Sequence, residues 1–594
     1  MTFPAFGEFV RYLESIGELR RVTVEVDPEL EITEIAIRAL QEKKPALLLE
    51  NVKGSRYPLA INVFASERRI ELALGCHPVQ IGTELVTFAD RLLAPSLSGL
   101  VRSSSLLKRV VGARQKTVSG GTAQELIGGM NLEELPVQRC WPKDGGRFIT
   151  LGQVFTEDPL SRKRNVGIYR LHVYDKTTTG MHWQIQKGGG FHYHRAEQLN
   201  QDLEVAVALG TDPALLLAAV AALPEGMDEV MFASFLRGKP IPMTRGRNVS
   251  INVPANAEFV LEGVVRGKER RQEGPFGDHF GHYSNAAPFP VFHVRGITHR
   301  KNPIYPATVV GIPPMEDKFL GDATQQILGP LARLIHNEVK DIWAYYEAGF
   351  HNLLVVSVEE RYKKEAMKAA LGLLGTGQLS LTKCLILVPP DVNPREWKSV
   401  LEAVRDNFDP HFDFVLIPKV PLDTLDFTSA KMELGSKMIL DATRKQRPTK
   451  DQQDARDVAA KFKSQPVNMR SIDRRITDSQ LLEECLLVVK VRNAGREVIE
   501  KLVKRRELQG FRMIAAVSED VDVHDQENCL WGIFTRFDCE RDVVFTEQKL
   551  FGISPIYRGV LGIDATWKKG YPDPLVMEAR VRRKVESRWD SYWK

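Results

Sequence analysis

Cysteine is scarce in this chain of 594 residues, and its six cysteines stand apart without any Cys-x-x-Cys pair. Such spacing argues against a zinc cluster and against a disulfide scaffold, so we expect reduced, structural thiols. Long apolar runs are lacking too. The strongest, at residues 214–223, is about half the ~20 residues that a membrane-spanning helix needs, and it predicts a buried helix.

A large excess of either charge is also absent. Lysine and arginine number 81 against 76 aspartates and glutamates, which leaves a net charge of +5 on a long chain. So small a balance predicts neither a nucleic-acid partner nor a membrane-surface partner. The first residues lack a basic segment followed by an apolar one, so we expect no signal peptide and a cytoplasmic location.

The pattern of apolar residues predicts a multidomain α+β and α/β protein. A length of 594 residues exceeds what one hydrophobic core fills, which indicates roughly two to four domains. Helical and strand periods alternate in residues 1–115, short strand patterns dominate residues 116–305, and alternation returns in residues 306–445 and 446–594. We therefore predict an N-terminal α/β domain, a central β-barrel or sandwich, and C-terminal α/β lobes.

The last third of the chain contains a degenerate repeat. Two apolar strand patterns are each followed by a pair of aspartates eighteen residues apart, Asp391 with Asp409 and Asp520 with Asp538. The match predicts a duplicated α/β lobe, with residues 444–478 as its polar connector and a role in assembly rather than chemistry. Chance similarity is the alternative for so short a match.

Two acidic residues flank a tight-turn sequence in the β-rich region. Glu273 and Asp278 enclose Gly-Pro-Phe-Gly, which favours a turn and lets both carboxylates face one space. Two nearby carboxylates in a dry site push their pKa values apart, which suits a general acid/base pair. The alternative is an ordinary polar turn with solvated acids.

Arg170 precedes an alternating pattern at residues 171–174, which predicts a strand position. A guanidinium binds a carboxylate at two points and stays charged at any working pH, so the functional interpretation is an anion clamp. A surface arginine on a β-strand is the alternative, because exposed arginines are abundant.

Weaker patterns bear on cations and phosphate. Asn165 and Glu229 offer the hard oxygen ligands that Mg²⁺, Mn²⁺ or K⁺ prefer, although two such residues alone are a weak signal. Lys187 and the glycines after it either hold phosphate or form a flexible turn. His192 and His194 form a His-x-His pattern at a predicted strand edge, where we expect structural or solvated histidines rather than metal ligands.

Six segments, taken together and in this order, resemble the UbiD family of reversible decarboxylases, which act on aromatic and α,β-unsaturated acids with prenylated FMN. They are residues 165–170, 179–184, 224–229, 273–278, 313–317 and 379–383, with the sequences Asn-Val-Gly-Ile-Tyr-Arg, Thr-Gly-Met-His-Trp-Gln, Pro-Glu-Gly-Met-Asp-Glu, Glu-Gly-Pro-Phe-Gly-Asp, Pro-Pro-Met-Glu-Asp and Leu-Ser-Leu-Thr-Lys. The combination runs over most of the chain and is far more specific than any one motif.

The resemblance implies a fold and a set of roles. The central domain would be a split β-barrel that binds the flavin, and the C-terminal α/β domain would mediate oligomerisation. Arg170, Glu273 and Asp278 would form the catalytic network, with Asp278, kept protonated beside the flavin, as the proton donor. Asn165 and Glu229 would bind the divalent ion, usually Mn²⁺, that bridges the protein to the flavin phosphate, with K⁺ as a further ion.

The resemblance also places a set of residues around the cofactor. These are Ile168, Tyr169, Arg170, His182, Trp183, Gln184, Lys187 and Gly188. Many relatives have a histidine before the Lys/Arg-Gly-Gly turn, and this chain has Gln186 there. A glutamine carbonyl oxygen also ligates hard cations, so Gln186, His192 or His194 would complete the metal site.

Partners and alternatives follow from the same resemblance. It implies a small aromatic acid and CO₂, a prenylated-FMN synthase as cofactor supplier, and a homo-oligomer, dimer or higher. The extra C-terminal copy is similar to long members associated with menaquinone-type pathways, which suggests a naphthoate or hydroxybenzoate substrate of quinone biosynthesis. The alternatives are the carboxylase direction, a helper subunit of a multi-subunit aromatic carboxylase, and a metal-dependent hydrolase built on Glu229, His192 and His194.

Overall fold

The structure is a computed structural model, and it describes residues 3–93, 109, 112–184, 188–224, 226–429, 431, 434–444 and 467–594. The strands of these residues form four larger sheets and two small ones. Among the same residues, no helix is both long and apolar enough to cross a membrane. The prediction of a buried helix at the strongest apolar run is confirmed, because the helix Pro213–Val220 is buried along nearly its whole length.

The N-terminal sheet is small and is covered by helices. Its strands, in spatial order, are Leu19–Val22, Ala46–Leu49, Leu59–Ile61 and Tyr305–Pro306. The helices here are Phe6–Ser15, Glu31–Gln41, Glu67–Leu74 and Pro78–Leu93. Phe9, Val10 and Leu13 are fully enclosed because they recur with the helical period and therefore lie on one face. The chain returns to this sheet after the central domain, through residues 305–306.

The central sheet has nine strands and is strongly curled, so the predicted barrel or sandwich is a half-barrel. In spatial order its strands are Arg147–Ile149, Leu171–Val173, Thr178–Gly180, Ala287–His299, Phe259–Glu273, Leu203–Leu209, Gln153–Glu157 and Arg164–Ile168, and Leu126–Gly128 pairs with Ala287–His299. The two long strands shift register between Glu262 and Gly263. Such an irregularity bends a sheet and increases its twist.

Helices and small sheets surround the half-barrel. The helices are Gly188–Gln198, Pro213–Val220 and Glu229–Arg237. Lys116–Thr117, Pro242–Arg245 and Asn252–Pro254 form a three-stranded sheet, and Phe276–Gly277 pairs with Tyr283–Ser284. Short 3-10 helices lie at Thr122–Gln124, Leu132–Glu134, Gly329–Leu334, Tyr346–Ala348, Gly377–Leu381, Arg506–Leu508 and Trp589–Tyr592.

The C-terminal part contains two five-stranded sheets of the same strand order and the same strand directions. The first lobe, residues 339–441, has the spatial order Val339–Ala344, Leu353–Val358, Cys384–Val388, Gly435–Asp441, Phe414–Val420. The second lobe, residues 476–565, has the order Ile476–Leu482, Leu486–Val491, Met513–Val517, Ser554–Ala565, Val543–Phe551. The remaining helices are Glu316–Leu328, Glu365–Leu373, Trp397–Asn407, Pro410–Asp413, Met469–Ile472, Gly495–Leu502, Gln526–Phe534 and Ala579–Arg588.

The connector predicted at residues 444–478 ends too late. Met469–Ile472 is already a helix, and Ile476–Leu482 is the first strand of the second lobe. Four consecutive polar residues, at positions 477–480, hide this strand from a composition argument. Residues 445–466 of the predicted connector lie outside the described residues.

The two lobes share one hydrophobic core. The ring of Phe414 in the first lobe lies 4.9 Å from that of Phe545 and 5.0 Å from that of Tyr557 in the second. Buried side chains from both sheets, such as Leu353 and Leu561, belong to the same cluster. Burial of this kind stabilises by about 25 cal/mol for each Å² of apolar surface removed from water, so the lobes stabilise each other.

The tail helix, Ala579–Arg588, packs against the helix Glu31–Gln41 of the N-terminal part. Glu31 is only 2% exposed, and its carboxylate lies 2.9 Å from Lys584 Nζ and 2.5 Å from Arg588 Nη1. The hydroxyl of Tyr592 donates a third bond of 3.0 Å to the same carboxylate. The end of the described chain is thus fixed to its first domain by one buried acid.

Candidate active site

Arg170 lies at a corner of the half-barrel, between the strands Arg164–Ile168 and Leu171–Val173. Its side chain is buried and binds Glu273 at two points, from Nε to Oε1 at 2.8 Å and from Nη2 to Oε2 at 3.0 Å. This geometry is the two-point contact that guanidinium and carboxylate groups favour. The surface-arginine alternative is therefore wrong, because the guanidinium points into the protein.

The same guanidinium also binds the second acid of the turn. Arg170 Nη1 donates to Asp278 Oδ2, and Nη2 donates to Ser284 Oγ at 2.9 Å. The ring of Phe276 covers the guanidinium face at 4.7 Å. The structure thus brings Arg170, Glu273 and Asp278 together, and the arginine binds this network rather than standing open as a clamp for a free anion.

Both carboxylates are ionised in this arrangement. Burial alone would raise the pKa of Glu273, but the charge of Arg170 and the hydrogen bond with His182 outweigh it and lower the pKa to about 2. Burial also opposes ionisation of Asp278, and the hydrogen bonds of His279 and the charge of Arg170 still lower its pKa below the usual range. The expectation that Asp278 rests in its protonated form is therefore wrong for this structure.

The neighbouring histidine, His279, contacts the same carboxylate. His279 Nδ1 is 2.8 Å from Asp278 Oδ1, and the His279 backbone N–H donates to the same oxygen at 2.8 Å. Burial lowers the pKa of His279, but its contact with Asp278 and the nearby charges of Asp317 and Asp423 raise it overall. Sequence reasoning missed His279, although its place directly after the second acid of the turn was a usable signal.

Further polar groups lie beyond His279. Asp317 lies in the first turn of the helix Glu316–Leu328, accepts a hydrogen bond from the hydroxyl of Tyr346, and has its pKa raised to about 6 by burial. Asp423 Oδ2 lies 2.5 Å from His351 Nδ1 in the first lobe. We name Asp317, Tyr346, His351 and Asp423 the polar wall, since the charges of its two acids act on His279. Sequence reasoning noticed only Asp317, as part of a motif.

Asn165 and Glu229 also meet. Asn165 Nδ2 donates to Glu229 Oε1 at 3.1 Å, and the backbone N–H of Val166 donates to Glu229 Oε2 at 3.0 Å. Glu229 is the first residue of its helix, and burial raises the pKa of its carboxyl to about 7. A buried acid whose charge is so poorly compensated by the protein fits a site that takes a cation.

The residues named for cofactor binding surround this corner. Trp183 is buried, and its indole N–H has no hydrogen-bond partner among the described residues. Glycine is required next to it, because a Cβ on Gly189 would stand 2.6 Å from Trp183 Nε1 and one on Gly188 would stand 2.7 Å from the Asn165 side chain. An orphaned buried donor beside close-approaching backbone at a helix start fits an anionic group such as phosphate.

The remaining candidates lie around the same corner. Tyr169 is buried and Ile168 is half-buried, His182 Nδ1 lies 3.2 Å from Glu273 Oε2, and Gln184 is half-buried. Gln186 and Lys187 fall outside the described residues.

The prediction of a flexible turn at residues 188–190 and the strand-edge placement of His192 and His194 are wrong. Residues 188–190 are the first turn of the helix Gly188–Gln198, which also carries His192 and His194. His192 Nδ1 lies 2.9 Å from Thr156 Oγ1, and His194 Nε2 lies 3.0 Å from Gln198 Nε2. In the described part of the chain, no group of three or more His, Cys, Asp or Glu side chains is placed to hold a metal ion.

Three family models match the chain. The model described as the 3-octaprenyl-4-hydroxybenzoate carboxy-lyase N-terminal domain matches residues 10–89, the Rift-related domain of the same enzyme matches residues 116–313, and its C-terminal domain matches residues 318–442 and 472–565. The matched segments contain Arg170, Glu273 and Asp278.

Related proteins extend over the same regions. A Chlamydia pneumoniae protein, named as one subunit of a 4-hydroxybenzoate decarboxylase, is 34% identical over 98% of this chain and 97% of its own. A protein of Archaeoglobus fulgidus is 44% identical over 75% of this chain and 93% of its own. The second relative is shorter, so about a quarter of this chain has no counterpart in it.

Solved structures show the same fold. Vanillic acid decarboxylase of Sedimentibacter hydroxybenzoicus in its closed form has a TM-score of 0.68 and 28% identity, over 76% of this chain and 95% of its own. The UbiD-class enzyme HmfF of Pelotomaculum thermopropionicum in complex with FMN has a TM-score of 0.62 and 27% identity, over 75% and 96%. With family models over most of its length and a relative along nearly all of it, the chain belongs to the UbiD family and is a carboxy-lyase.

Proposed function

We propose that this carboxy-lyase is a prenylated-FMN-dependent, non-oxidative decarboxylase of an aromatic or conjugated carboxylic acid. The observation that carries the proposal is the buried contact of one guanidinium, Arg170, with two carboxylates, Glu273 and Asp278. The corner formed by Asn165 and Trp183 supports a flavin phosphate site beside this network.

The residues that would hold the cofactor each have a physical reason. Asn165 and Glu229 would bind Mn²⁺ through hard oxygen ligands. K⁺ would be a further ion. The indole N–H of Trp183 would donate to the phosphate, and Gly188 with Gly189 would let the backbone approach it closely. When bound, a prenylated flavin supplies an electron sink for the charge that departing CO₂ leaves on carbon.

The chain's own groups would move the proton. Decarboxylation of a carboxylate replaces CO₂ by one H⁺, so a donor is needed at the carbon that loses CO₂. His279 would pass its proton from Nδ1 to Asp278, and Asp278 would give it to that carbon. Arg170 would keep Asp278 aimed at the site, while Glu273 holds the other edge of the guanidinium. The same steps in reverse would support carboxylation when CO₂ is abundant.

The substrate class rests on the polar wall and on the relatives. Asp317, Tyr346, His351 and Asp423 offer hydrogen-bond partners for hydroxyl groups on an aromatic ring. The names of the vanillic acid and 4-hydroxybenzoate enzymes support a hydroxybenzoate, and a naphthoate of quinone biosynthesis is the second candidate. We further propose a homo-oligomer and a prenylated-FMN synthase as cofactor supplier.

Reconstitution tests this function. The chain is co-expressed with a prenylated-FMN synthase and purified, and its visible spectrum and phosphorus content are recorded. We expect a bound flavin and CO₂ release from at least one hydroxybenzoate or naphthoate. A chain that binds no flavin under these conditions would contradict the proposal.

The donor role has its own test. Asp278→Asn should retain the flavin spectrum but lose solvent deuterium incorporation into product, since an amide cannot supply the proton. Asp202→Asn, at an exposed position, serves as the control and should incorporate deuterium normally. Normal turnover of Asp278→Asn would remove Asp278 as the donor.

A further inference from the structure

The backbone that follows Asp278 lies against the second lobe. We name residues 278–283 the acid loop. Trp531 Nε1, in the helix Gln526–Phe534, donates to the carbonyl oxygen of Phe280 at 2.9 Å, and Arg536 Nε donates to His282 Nε2 at 3.2 Å. Both donors come from a lobe whose sequence begins nearly two hundred residues after the loop.

Residues just after the second lobe add two backbone contacts. The N–H of Leu575 donates to the carbonyl oxygen of Gly281 at 2.9 Å, and the N–H of Tyr283 donates to that of Asp573 at 3.2 Å. Gly281 has a φ of +73°, and a Cβ there would stand 2.5 Å from Trp531 Nε1. The indole is therefore seated directly on the loop backbone.

The side chains that make these contacts are rigidly held. Arg536 is fully buried, binds Asp520 at 2.8 and 2.6 Å, and lies 4.3 Å from the centre of the Trp531 ring. His282 stacks on Trp531 at 5.3 Å, and its Nδ1 lies 3.0 Å from the Phe280 carbonyl oxygen. This pattern requires the neutral tautomer with its proton on Nδ1, because Nε2 accepts from Arg536.

The loop transmits its position to Asp278 itself. The backbone N–H of Asp278 donates to the carbonyl oxygen of His282 at 3.1 Å, and the N–H of Gly281 donates to the carbonyl oxygen of Asp278 at 2.9 Å. A shift of His282 therefore moves the residue that contacts Arg170 and His279.

The first lobe does not carry these side chains at the matching positions. Trp531 stands eleven residues after Asp520, and the residue eleven after Asp391 is Glu402. Arg536 stands sixteen residues after Asp520, and the residue sixteen after Asp391 is Asn407. The helices of the two lobes begin at the same offset, at Trp397 and Gln526, so the comparison is in register.

We propose that the second lobe positions the acid loop, with Trp531 and Arg536 as positioning residues that set the place of Asp278 at the reacting carbon. The proposal rests on the decarboxylase function proposed above. It differs from the assembly role predicted for the duplicated lobe, because it ties the duplication to the geometry of proton transfer.

Trp531→Phe tests the proposal, since it keeps an aromatic ring and removes the N–H donor. In hydrogen exchange followed by mass spectrometry on the chain without substrate, amides of residues 279–283 should exchange about tenfold faster, as expected for one lost hydrogen bond. In the reconstituted enzyme, kcat should fall about ten- to hundredfold with KM within about twofold of wild type. Arg536→Lys, which keeps the charge but changes the donor geometry, should behave in the same direction.

Trp589→Phe is the matched control, because Trp589 Nε1 donates to Glu42 at 3.1 Å on the far N-terminal domain. It should leave both exchange in the loop and kcat unchanged. A wild-type kcat in Trp531→Phe and Arg536→Lys overturns the proposal, and so does a loss of kcat with wild-type exchange in the loop. If the wild-type chain releases CO₂ from no acid, the proposed function fails, and hydrogen exchange alone decides whether the lobe holds the loop.

Discussion

At the residue scale, the protonation of the site is decided by contacts between distant parts of the sequence. The acid turn was recognisable from Glu273, Asp278 and the glycines between them, and Arg170 from its motif. The charge of Asp278 was not, because it depends on Arg170, 108 residues away, and on the side-chain orientation of His279. Asp278 and Arg170 could be recognised in the sequence, but their contact with each other and with His279 could not.

The first prediction concerns the shape of the guanidinium. In Arg170→Lys, one ammonium replaces a planar fork that contacts Glu273, Asp278 and Ser284 at once. We expect CO₂ release to fall on the order of a hundredfold although the charge is kept. Arg271→Lys, at an exposed pair with Asp175, is the control and should keep wild-type CO₂ release. Equal rates for both variants would show that the fork geometry has no role.

The second prediction concerns stability below neutral pH. Burial and the charge of Arg536 lower the pKa of His282 to about 3. Because the folded pKa is depressed below the unfolded one, this neutral histidine stabilises fully above about pH 6.5 and its contribution is lost as the pH falls. Between about pH 6 and pH 4, the free energy of unfolding should drop by about 1.4 kcal/mol per pH unit from this group alone.

Urea unfolding of wild type and His282→Gln at several pH values measures this slope. The variant removes the titration, so its curve should be flatter by that amount, while the other buried histidines contribute equally to both chains. If the free energy of unfolding depended on pH in the same way in both chains, protonation of His282 would not destabilise the folded state, and the prediction would be wrong.

At the element scale, the acid turn packs against Trp141 and Asp144, which lie in another part of the central domain. Asp144 accepts hydrogen bonds from the backbone N–H groups of Gly277 at 2.7 Å and Trp141 at 2.8 Å. A Cβ on Gly277 would stand 2.2 Å from Trp141 Cδ1, so the turn lies flat on the indole. The turn is held by Trp141 and Asp144, and the acid loop that follows it is held by the second lobe.

The third prediction follows from this fit. Gly277→Ala should destabilise by about 1–3 kcal/mol through overpacking, and it should also lower CO₂ release because it lifts Asp278 from its place. Gly129→Ala is the control, since a Cβ there meets nothing within 4 Å. Thermal unfolding and CO₂ release measure both chains, and a Gly277→Ala chain with wild-type values for both would contradict the fit.

Elements with strong local periodicity could be predicted from the sequence, and elements that depend on context could not. The helix Phe6–Ser15 has its apolar residues on one face, and the helix Pro213–Val220 is recognisable as an unbroken apolar run. The helix Gly188–Gln198 opens with three glycines, which are poor helix formers, and its first turn is helical where it passes close to Asn165 and Trp183. Tertiary packing overrides propensity there.

At the scale of the whole molecule, the duplication was visible because the spacing of Asp391 with Asp409 recurs in Asp520 with Asp538. The contact of the second lobe with the acid loop could not be predicted, because the hydrogen bond of Trp531 with Phe280 joins residues 251 positions apart. Periodicity carries information over a few turns of chain, so it predicts lobes but not what they touch.

The fourth prediction concerns the tail helix. Arg588→Met removes one of the groups around the buried Glu31 carboxylate, and we expect a loss of about 1–2 kcal/mol in the free energy of unfolding because Arg588 is itself partly exposed. Arg580→Met changes the same helix at an exposed arginine paired with Glu578 and should leave the free energy of unfolding close to that of wild type. Chemical denaturation of both variants measures the difference, and equal losses would show that Glu31 needs no cation.

The contact of Glu31 with Lys584, Arg588 and Tyr592 also sets an order in time. The three partners follow Glu31 by 553, 557 and 561 residues. At a synthesis rate of about 5–20 residues per second, the first domain emerges from the ribosome roughly half a minute to two minutes before these groups exist. Until then the Glu31 carboxylate lacks these three partners, so a domain that is made early reaches its final packing only after the tail helix has been made.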